Sequence, residues 1–342
     1  MRPEPTAPRR IAVPLALGRE AARPREGRDV VLQGPTMGVS WRLRARAPSG
    51  LGDETITAVV QGACDAVVAA ASTWEPESEI TRFNRAPAGV WVPVGEHLMA
   101  IVRAAVRHAE ESGGAFDPAV GRLTDLWGFG PPGAVVRPPS VAELAAAETG
   151  WRDLEIDAVG MRLLQPGGLS LDLSGIAKGY GVDLAASALA GLGVRDALLE
   201  IGGELSGRGV KGDGEPWWVE VERPPEATSD TALEEPPVLI ALHELCVATS
   251  GDWRRRFEAG GRRYSHTLDP ATRAPVDGQV AAVTVVHERC MEADALCTVL
   301  TVMGPERALA FAEARDVAAL LLVRTPLGHA ERLSPAFRRL LD

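Results

Sequence analysis

The chain has 342 residues, of which 46% are hydrophobic, enough for one large folded domain or two smaller ones. Its formal net charge is −10, so it lacks the excess of Lys and Arg that binding to a nucleic-acid phosphate backbone requires. The four cysteines, Cys64, Cys246, Cys290 and Cys297, show neither a CxxC pair nor zinc-ligand spacing, and we interpret them as small buried residues.

The N-terminal segment differs in composition from the rest of the chain. Residues 1–29 are rich in Pro and Arg, which predicts a disordered tail ahead of a single domain over residues 30–342, with a division into two subdomains left open. The apolar run IAVPLAL is too short and too proline-broken for an export signal, and no stretch approaches the ~20 apolar residues of a transmembrane segment. As written, the chain is therefore expected to be cytoplasmic. A periplasmic or exported location is the alternative if its start site is misassigned.

The first predicted elements are one strand, two helices and a second strand. Apolar and polar residues alternate from Val39 to Arg46, which predicts a half-exposed strand. Residues 98–110 and 176–192 have helical apolar spacing, and the second run stops at a glycine. A strand over Ala197–Ile201 should follow directly.

The second half of the chain is predicted to consist mainly of strands. These are Trp217–Glu222, Val238–Leu242, Cys246–Thr249 and Val280–Val286. No crossover helix separates them, so we expect mostly antiparallel pairing. Residues 224–237 are polar, acidic and bounded by prolines, which indicates a surface loop. Together the elements predict an α+β fold with mixed, largely antiparallel sheets and packed helices.

Residues 170–181, SLDLSGIAKGYG, have the pattern of an anion site. A short alternating run ends at a glycine and passes directly into the helix predicted over 176–192. Backbone N–H groups, a hydroxyl and the amino group of Lys178 therefore gather at a helix N-terminus. The segment alone does not identify the anion.

Asp294 and Thr298 lie four residues apart in a run with helical apolar spacing, residues 291–304. Both side chains therefore project from one helix face. A carboxylate and a hydroxyl one turn apart are hard oxygen ligands suited to Mg²⁺. The alternative is that Asp294 complements the helix dipole and Thr298 donates to the carbonyl four residues earlier. The spacing leaves both interpretations open.

Two further segments combine polar side chains with predicted strand ends. His266 follows a strand and precedes a tight Asp-Pro turn, a position that suits a general base as well as a structural role. Thr249-Ser250-Gly251 follows a strand and would either contact a ligand or form an ordinary turn or helix cap.

Two aromatic residues are candidates for stacking on a planar ring. Phe116 lies with Asp117 in a glycine-bounded loop, residues 113–118, ahead of the segment LTDLWGFG. Trp74 is the second candidate, and core packing is the alternative for this isolated tryptophan.

Eight ordered blocks, spread from about residue 32 to residue 325, resemble the ApbE family of FAD:protein FMN transferases. The blocks are TMG (36–38), STWEPESEITRFN (72–84), GGAFDPAVGRLTDLWGFG (113–130), LDLSGIAKGYGVD (171–183), IGGE (201–204), ATSGDW (248–253), YSHTLDP (264–270) and EADALCTVLTVMG (292–304). The resemblance implies an ApbE-like, T-fold-related α+β architecture. It also implies a Mg²⁺-dependent enzyme that takes FAD as substrate, attaches FMN through a phosphoester to a Ser or Thr in the flavinylation motif of an acceptor flavoprotein, and releases AMP.

The resemblance also implies roles for individual residues. Asp294, Thr298 and the carbonyl of Ala177 match the metal site of the family, and His266 matches its proposed catalytic base. The residues that match FAD contacts are Met37, Trp74, Ala115, Phe116, Asp117, Ser174, Tyr180 and Leu268. Neighbours in the same blocks complete the predicted FAD site: Lys178, Asp183, Thr249, Ser250 and Gly251.

Two other functions remain compatible with the sequence. A FAD pyrophosphatase would use the same residues with water as the acceptor and give FMN and AMP. A non-catalytic flavin-binding protein would not need the metal ligands or the base, so the presence of Asp294, Thr298 and His266 disfavours it.

Overall fold

The computed structural model describes residues 9–14, 17–18, 23–135, 137–147, 150–224, 235–253, 256–259 and 262–341. Its helices, in chain order, are α1 (Asp53–Ala71), α2 (Glu79–Arg85), α3 (Glu96–Ser112), α4 (Gly121–Leu126), α5 (Val141–Ala146), α6 (Ala177–Gly191), α7 (Cys290–Met303), α8 (Pro305–Ala314) and α9 (Pro335–Leu341). Its strands are β1 (Arg10–Ala12), β2 (Arg28–Thr36), β3 (Val39–Ala47), β4 (Val90–Pro93), β5 (Glu155–Asp157), β6 (Arg162–Gln165), β7 (Asp196–Ile201), β8 (Glu204–Arg208), β9 (Trp217–Glu220), β10 (Val238–Leu242), β11 (Leu245–Gly251), β12 (Arg256–Ala259), β13 (Arg262–Ser265), β14 (Leu268–Asp269), β15 (Ala274–Pro275), β16 (Val280–His287), β17 (Ala318–Thr325) and β18 (Gly328–Leu333).

Eight strands form the central sheet, in the order β18-β17-β16-β11-β8-β7-β3-β2. Each neighbouring pair in this sheet is antiparallel. Hairpins such as β2–β3 and β7–β8 need only short turns, as antiparallel pairing allows. The predicted α+β fold with largely antiparallel sheets is therefore confirmed.

One face of the central sheet is covered by helices. The alternation in β3 places Trp41, Leu43 and Ala45 on this face, where they pack with α1 and α6 in one buried cluster. Helix α7 packs beside α6 and over β11 and β16. Full burial of each large apolar side chain stabilises the fold by roughly 1.5–3 kcal/mol. These contacts hold the first turns of α6 and α7 next to each other.

The opposite face is covered by the small sheet β1-β10-β9 and by α9. Here the structure corrects one expectation about residues 1–29. Strand β1 pairs in parallel with β10, and Ala12 is fully buried. The guanidinium of Arg10 also forms an ion pair with Glu331. A three-residue strand gains its partners only from the tertiary fold, so the Pro- and Arg-rich composition did not reveal it.

Helix α1 is, within the described ranges, the one helix whose length and composition would allow it to cross a membrane. In the structure it is a core helix. Its buried stripe includes Ile56, Val60, Cys64 and Val67 and packs against the sheet and α6. The surface loop predicted over 224–237 lies for the most part outside the described residues, since 225–234 are not among them.

Candidate functional site

The first turn of α6 meets the first turns of α7 at a close helix contact. The Gly179 N–H donates to Asp294 Oδ2 at 2.9 Å. A Cβ atom on Gly179 would lie 2.4 Å from the Cys290 carbonyl oxygen and 2.8 Å from Asp294 Cβ. Only glycine allows this approach without a shift of the backbone. The contact therefore fixes the Asp294 carboxylate at the N-terminus of α6.

Thr298 faces the segment that leads into α6. A Cβ atom on Gly175 would lie 2.8 Å from Thr298 Oγ1 and 3.5 Å from Phe116 Cε2. Asp294, Thr298 and Phe116 are thus brought together with the segment from Gly175 to Gly179. Thr301, further along the same helix, donates its hydroxyl to the Cys297 carbonyl at 2.8 Å, which is the type of bond that was the alternative for Thr298.

This cluster fits a hard divalent cation. It offers the buried carboxylate of Asp294 and the Thr298 hydroxyl, and the family resemblance adds the carbonyl of Ala177, the first residue of α6. Mg²⁺ commonly takes one or two protein carboxylates and completes its octahedron with water and phosphate oxygens. No group of three or more His, Cys, Asp and Glu side chains converges within the part of the chain that the structure describes. A metal here would therefore complete its coordination with water and, once a substrate is bound, with phosphate oxygens.

Lys178 lies between two carboxylates. Its Nζ is 2.6 Å from Glu204 Oε1 and 3.6 Å from Asp294 Oδ1. Burial acts to lower the pKa of Lys178, but the charges of Asp294 and Glu204 outweigh it, and the net pKa is raised. The side chain therefore stays an ammonium at physiological pH. Glu204 was not among the predicted site residues, although it ends the IGGE block at the β7–β8 turn.

Met37 and Tyr180 border the first two turns of α6. Met37 lies in the β2–β3 turn with φ of 48°, and its Cε would be 3.3 Å from a Cβ on Gly181. The Tyr180 hydroxyl lies 2.9 Å from His97 Nδ1. Trp74, in the connection between α1 and α2, is 56% exposed, which excludes the core-packing alternative for its indole.

Residues 115–117 form the loop after α3. Ala115 and Phe116 are buried, and the Phe116 N–H donates to Ser112 Oγ at 3.0 Å. Asp117 Oδ1 accepts a hydrogen bond from the Ala119 N–H at 2.7 Å. Burial raises the pKa of Asp117 to about 6, against the opposing effects of that hydrogen bond and of Arg152.

Asp183 has a different role from the predicted FAD contact. Its Oδ1 accepts the Cys290 N–H at 2.8 Å and its Oδ2 accepts the Met291 N–H at 3.0 Å. Both oxygens therefore accept hydrogen bonds from backbone N–H groups at the start of α7. The Asp183 carboxylate stabilises this helix N-terminus as a cap. Asp183 acts on the site by fixing the helix that carries Asp294.

Thr249, Ser250 and Gly251 continue strand β11 and do not form the turn or cap that was the alternative to their predicted ligand contact. They pair with residues 282–284 of β16, and Thr249 Oγ1 lies 2.9 Å from Thr284 Oγ1. The strand extends because β16 offers partners as far as Ala282, a long-range pairing that local composition does not encode. Ser174 is exposed, and its N–H donates to Asp172 Oδ1 at 2.9 Å.

His266 and Leu268 belong to a second group of side chains, around Phe129. The His266 ring meets the Phe129 ring edge-on, with centroids 6.4 Å apart. Leu268 is buried with Trp127, whose indole N–H donates to the Arg273 carbonyl at 3.0 Å. The LTDLWGFG segment therefore supports the loop that carries His266.

Known proteins resemble this chain over most of its length. A model of the ApbE family matches residues 37–321. The FAD:protein FMN transferase of Vibrio cholerae is 37% identical over 317 residues, which cover 92% of this chain and 93% of that protein. That of Haemophilus influenzae is 32% identical over 345 residues, which cover 97% of each.

Solved structures show the same relationship. The apo flavinyl transferase ApbE of Pseudomonas stutzeri superposes with a TM-score of 0.84 at 38% identity, over 92% of this chain and 97% of that one. The flavin transferase ApbE of Vibrio cholerae gives a TM-score of 0.83 at 36% identity, over 92% and 99%. The chain therefore belongs to the ApbE family.

Proposed function

We propose that this protein is a Mg²⁺-dependent FAD:protein FMN transferase. It cleaves the diphosphate of FAD, joins FMN through its phosphate to a Ser or Thr hydroxyl of an acceptor flavoprotein, and releases AMP. The observation that carries the proposal is the convergence of Asp294 and Thr298 on the N-terminus of α6. Relatives that share most of the chain are named for the same reaction.

The N-terminus of α6 supplies positive potential for a diphosphate. The positive end of the helix dipole favours anions, and the Lys178 ammonium adds a full charge. Asp294, Thr298 and the Ala177 carbonyl would hold Mg²⁺, which neutralises phosphate charge when bound. Phosphoryl transfer depends mainly on such neutralisation and on in-line positioning.

His266 is the proposed base for the acceptor. It takes the proton from the Ser or Thr hydroxyl as that oxygen bonds to the phosphorus of the FMN half. The bond between that phosphorus and the bridging oxygen breaks, and the oxygen leaves with AMP. The ring contact with Phe129 orients the imidazole during this step.

The test combines purified protein, FAD, Mg²⁺ and an acceptor flavoprotein. We expect AMP together with a fluorescent acceptor band that survives denaturation. An acceptor whose target Ser or Thr is replaced by Ala is the control and should stay unlabelled. AMP without a labelled acceptor would favour the FAD pyrophosphatase, and the absence of both products would refute both enzymatic functions.

A further inference from the structure

We infer that Glu204 is a positioning residue that keeps the Lys178 ammonium from competing with a divalent metal for Asp294. The inference rests on the proposed function and deepens it, because it concerns the occupancy of the same site. It assigns a role to Glu204, which lies in the IGGE block but belongs neither to the predicted FAD site nor to the predicted metal ligands.

The distances show which carboxylate is the main partner of Lys178. Its Nζ lies 2.6 Å from Glu204 Oε1, within hydrogen-bond range, but 3.6 Å from Asp294 Oδ1. Both acidic side chains are only 4% exposed, and that of Lys178 is 30% exposed. Glu204 therefore anchors the ammonium, and Asp294 is its second neighbour.

The two oxygens of Asp294 have different surroundings. Oδ2 accepts the Gly179 N–H, and Oδ1 faces Lys178. Oδ1 is therefore the oxygen at which the Lys178 ammonium and a metal ion would compete. An ammonium seated directly on Oδ1 and a divalent metal bound to the same carboxylate would repel each other strongly in this weakly solvated place. Metal binding therefore requires that Lys178 be held elsewhere.

The β7–β8 hairpin aims Glu204 at Lys178. Ile201 pairs with Glu204 across a turn of two glycines, Gly202 with φ of 61° and Gly203 with φ of 103°. A Cβ atom on Gly202 would be 3.5 Å from Lys178 Cδ, so the lysine stem passes directly over this turn. The two glycines allow both the tight hairpin and the close passage of the lysine.

The test measures metal binding by the full-length protein without FAD. Mn²⁺ serves as the probe and is followed by electron paramagnetic resonance. In Glu204→Gln the Lys178 ammonium loses its charged partner and moves toward Asp294. Mn²⁺ affinity should then fall roughly tenfold, which is a typical coupling between residues of one ion-pair network. Adding Lys178→Met removes the competitor and should return the affinity to within about threefold of the wild type. Glu204→Asp, which keeps the charge, should lose less than Glu204→Gln.

Glu331→Gln is the matched control, because Glu331 is also a buried carboxylate held by arginines. It should bind Mn²⁺ like the wild type. A double variant that binds as weakly as Glu204→Gln, or a Glu204→Gln variant with wild-type affinity, would overturn the inference. A wild-type protein that binds no Mn²⁺ would refute the proposed metal-dependent function and the inference with it.

Discussion

Replacement of Asp294 by Asn is the perturbation that isolates the charge of the candidate metal ligand. The amide keeps the size of the side chain and an oxygen that can accept the Gly179 N–H. In the wild-type structure this N–H donates to Asp294 Oδ2 at 2.9 Å. Asp294→Ala would instead leave that buried N–H unpaired, which costs about 1–3 kcal/mol of stability. The Asn variant therefore separates loss of charge from loss of the helix contact.

The structure sets the size of the effect on stability. At 3.6 Å and an effective dielectric constant of about 20, the attraction between Lys178 and Asp294 is about 4–5 kcal/mol. The Asn variant loses this attraction, but it also avoids the free-energy cost of burying a charged carboxylate, and the second effect offsets most of the first. We therefore expect the free energy of unfolding of Asp294→Asn to lie within about 2 kcal/mol of the wild type.

The effect on activity should be far larger than the effect on stability. We expect no Mg²⁺-dependent AMP release from FAD, because Thr298 and a backbone carbonyl alone carry no formal charge to hold the ion. AMP release is followed by chromatography across a Mg²⁺ titration, and urea unfolding is measured on the same samples. Full turnover of Asp294→Asn with Mg²⁺ would refute the metal assignment.

Three further predictions follow from the described contacts. His266→Ala should lower the rate of transfer about 10²–10⁴-fold with little change in FAD affinity, as expected for loss of a general base, and an unchanged rate would exclude that role. Gly179→Ala should lose about 1–3 kcal/mol in urea unfolding, because its Cβ would lie 2.4 Å from the Cys290 oxygen, whereas the control Gly191→Ala, with open space in the same helix, should not. Burial raises the pKa of the Asp117 carboxyl from 3.8 to about 6 in the folded protein. Folding therefore favours the protonated carboxyl, and the stability that protonation contributes is lost as the pH rises from 3.8 through 6. Asp117→Asn should therefore gain stability relative to the wild type between pH 4 and pH 7, and a pH-independent difference would refute the burial argument.

Local patterns predicted the elements whose signals lie within one segment. Helical spacing anticipated α6 and α7 to within a few residues, and the spacing of Asp294 and Thr298 anticipated their common face. Alternation in β3 likewise anticipated its buried and exposed sides. These features depend on the period of apolar residues, which the sequence carries directly.

Features that depend on distant partners were not predictable in the same way. Strand β1 exists because β10 lies beside it, and β11 extends through Gly251 because β16 continues alongside. Asp183 caps α7 from more than 100 residues away, and Glu204 reaches Lys178 only once the β7–β8 hairpin has formed. Each of these contacts depends on tertiary packing between segments that are distant in the sequence. Such packing leaves no local pattern in the residues that make the contact.

The most direct test of the proposed function is the intact mass of the acceptor flavoprotein after incubation with this protein, FAD and Mg²⁺. The account predicts one added FMN phosphoester on a Ser or Thr, with AMP released in equal amount and both products absent when Mg²⁺ is chelated. An unmodified acceptor and no AMP in the presence of Mg²⁺ would contradict it.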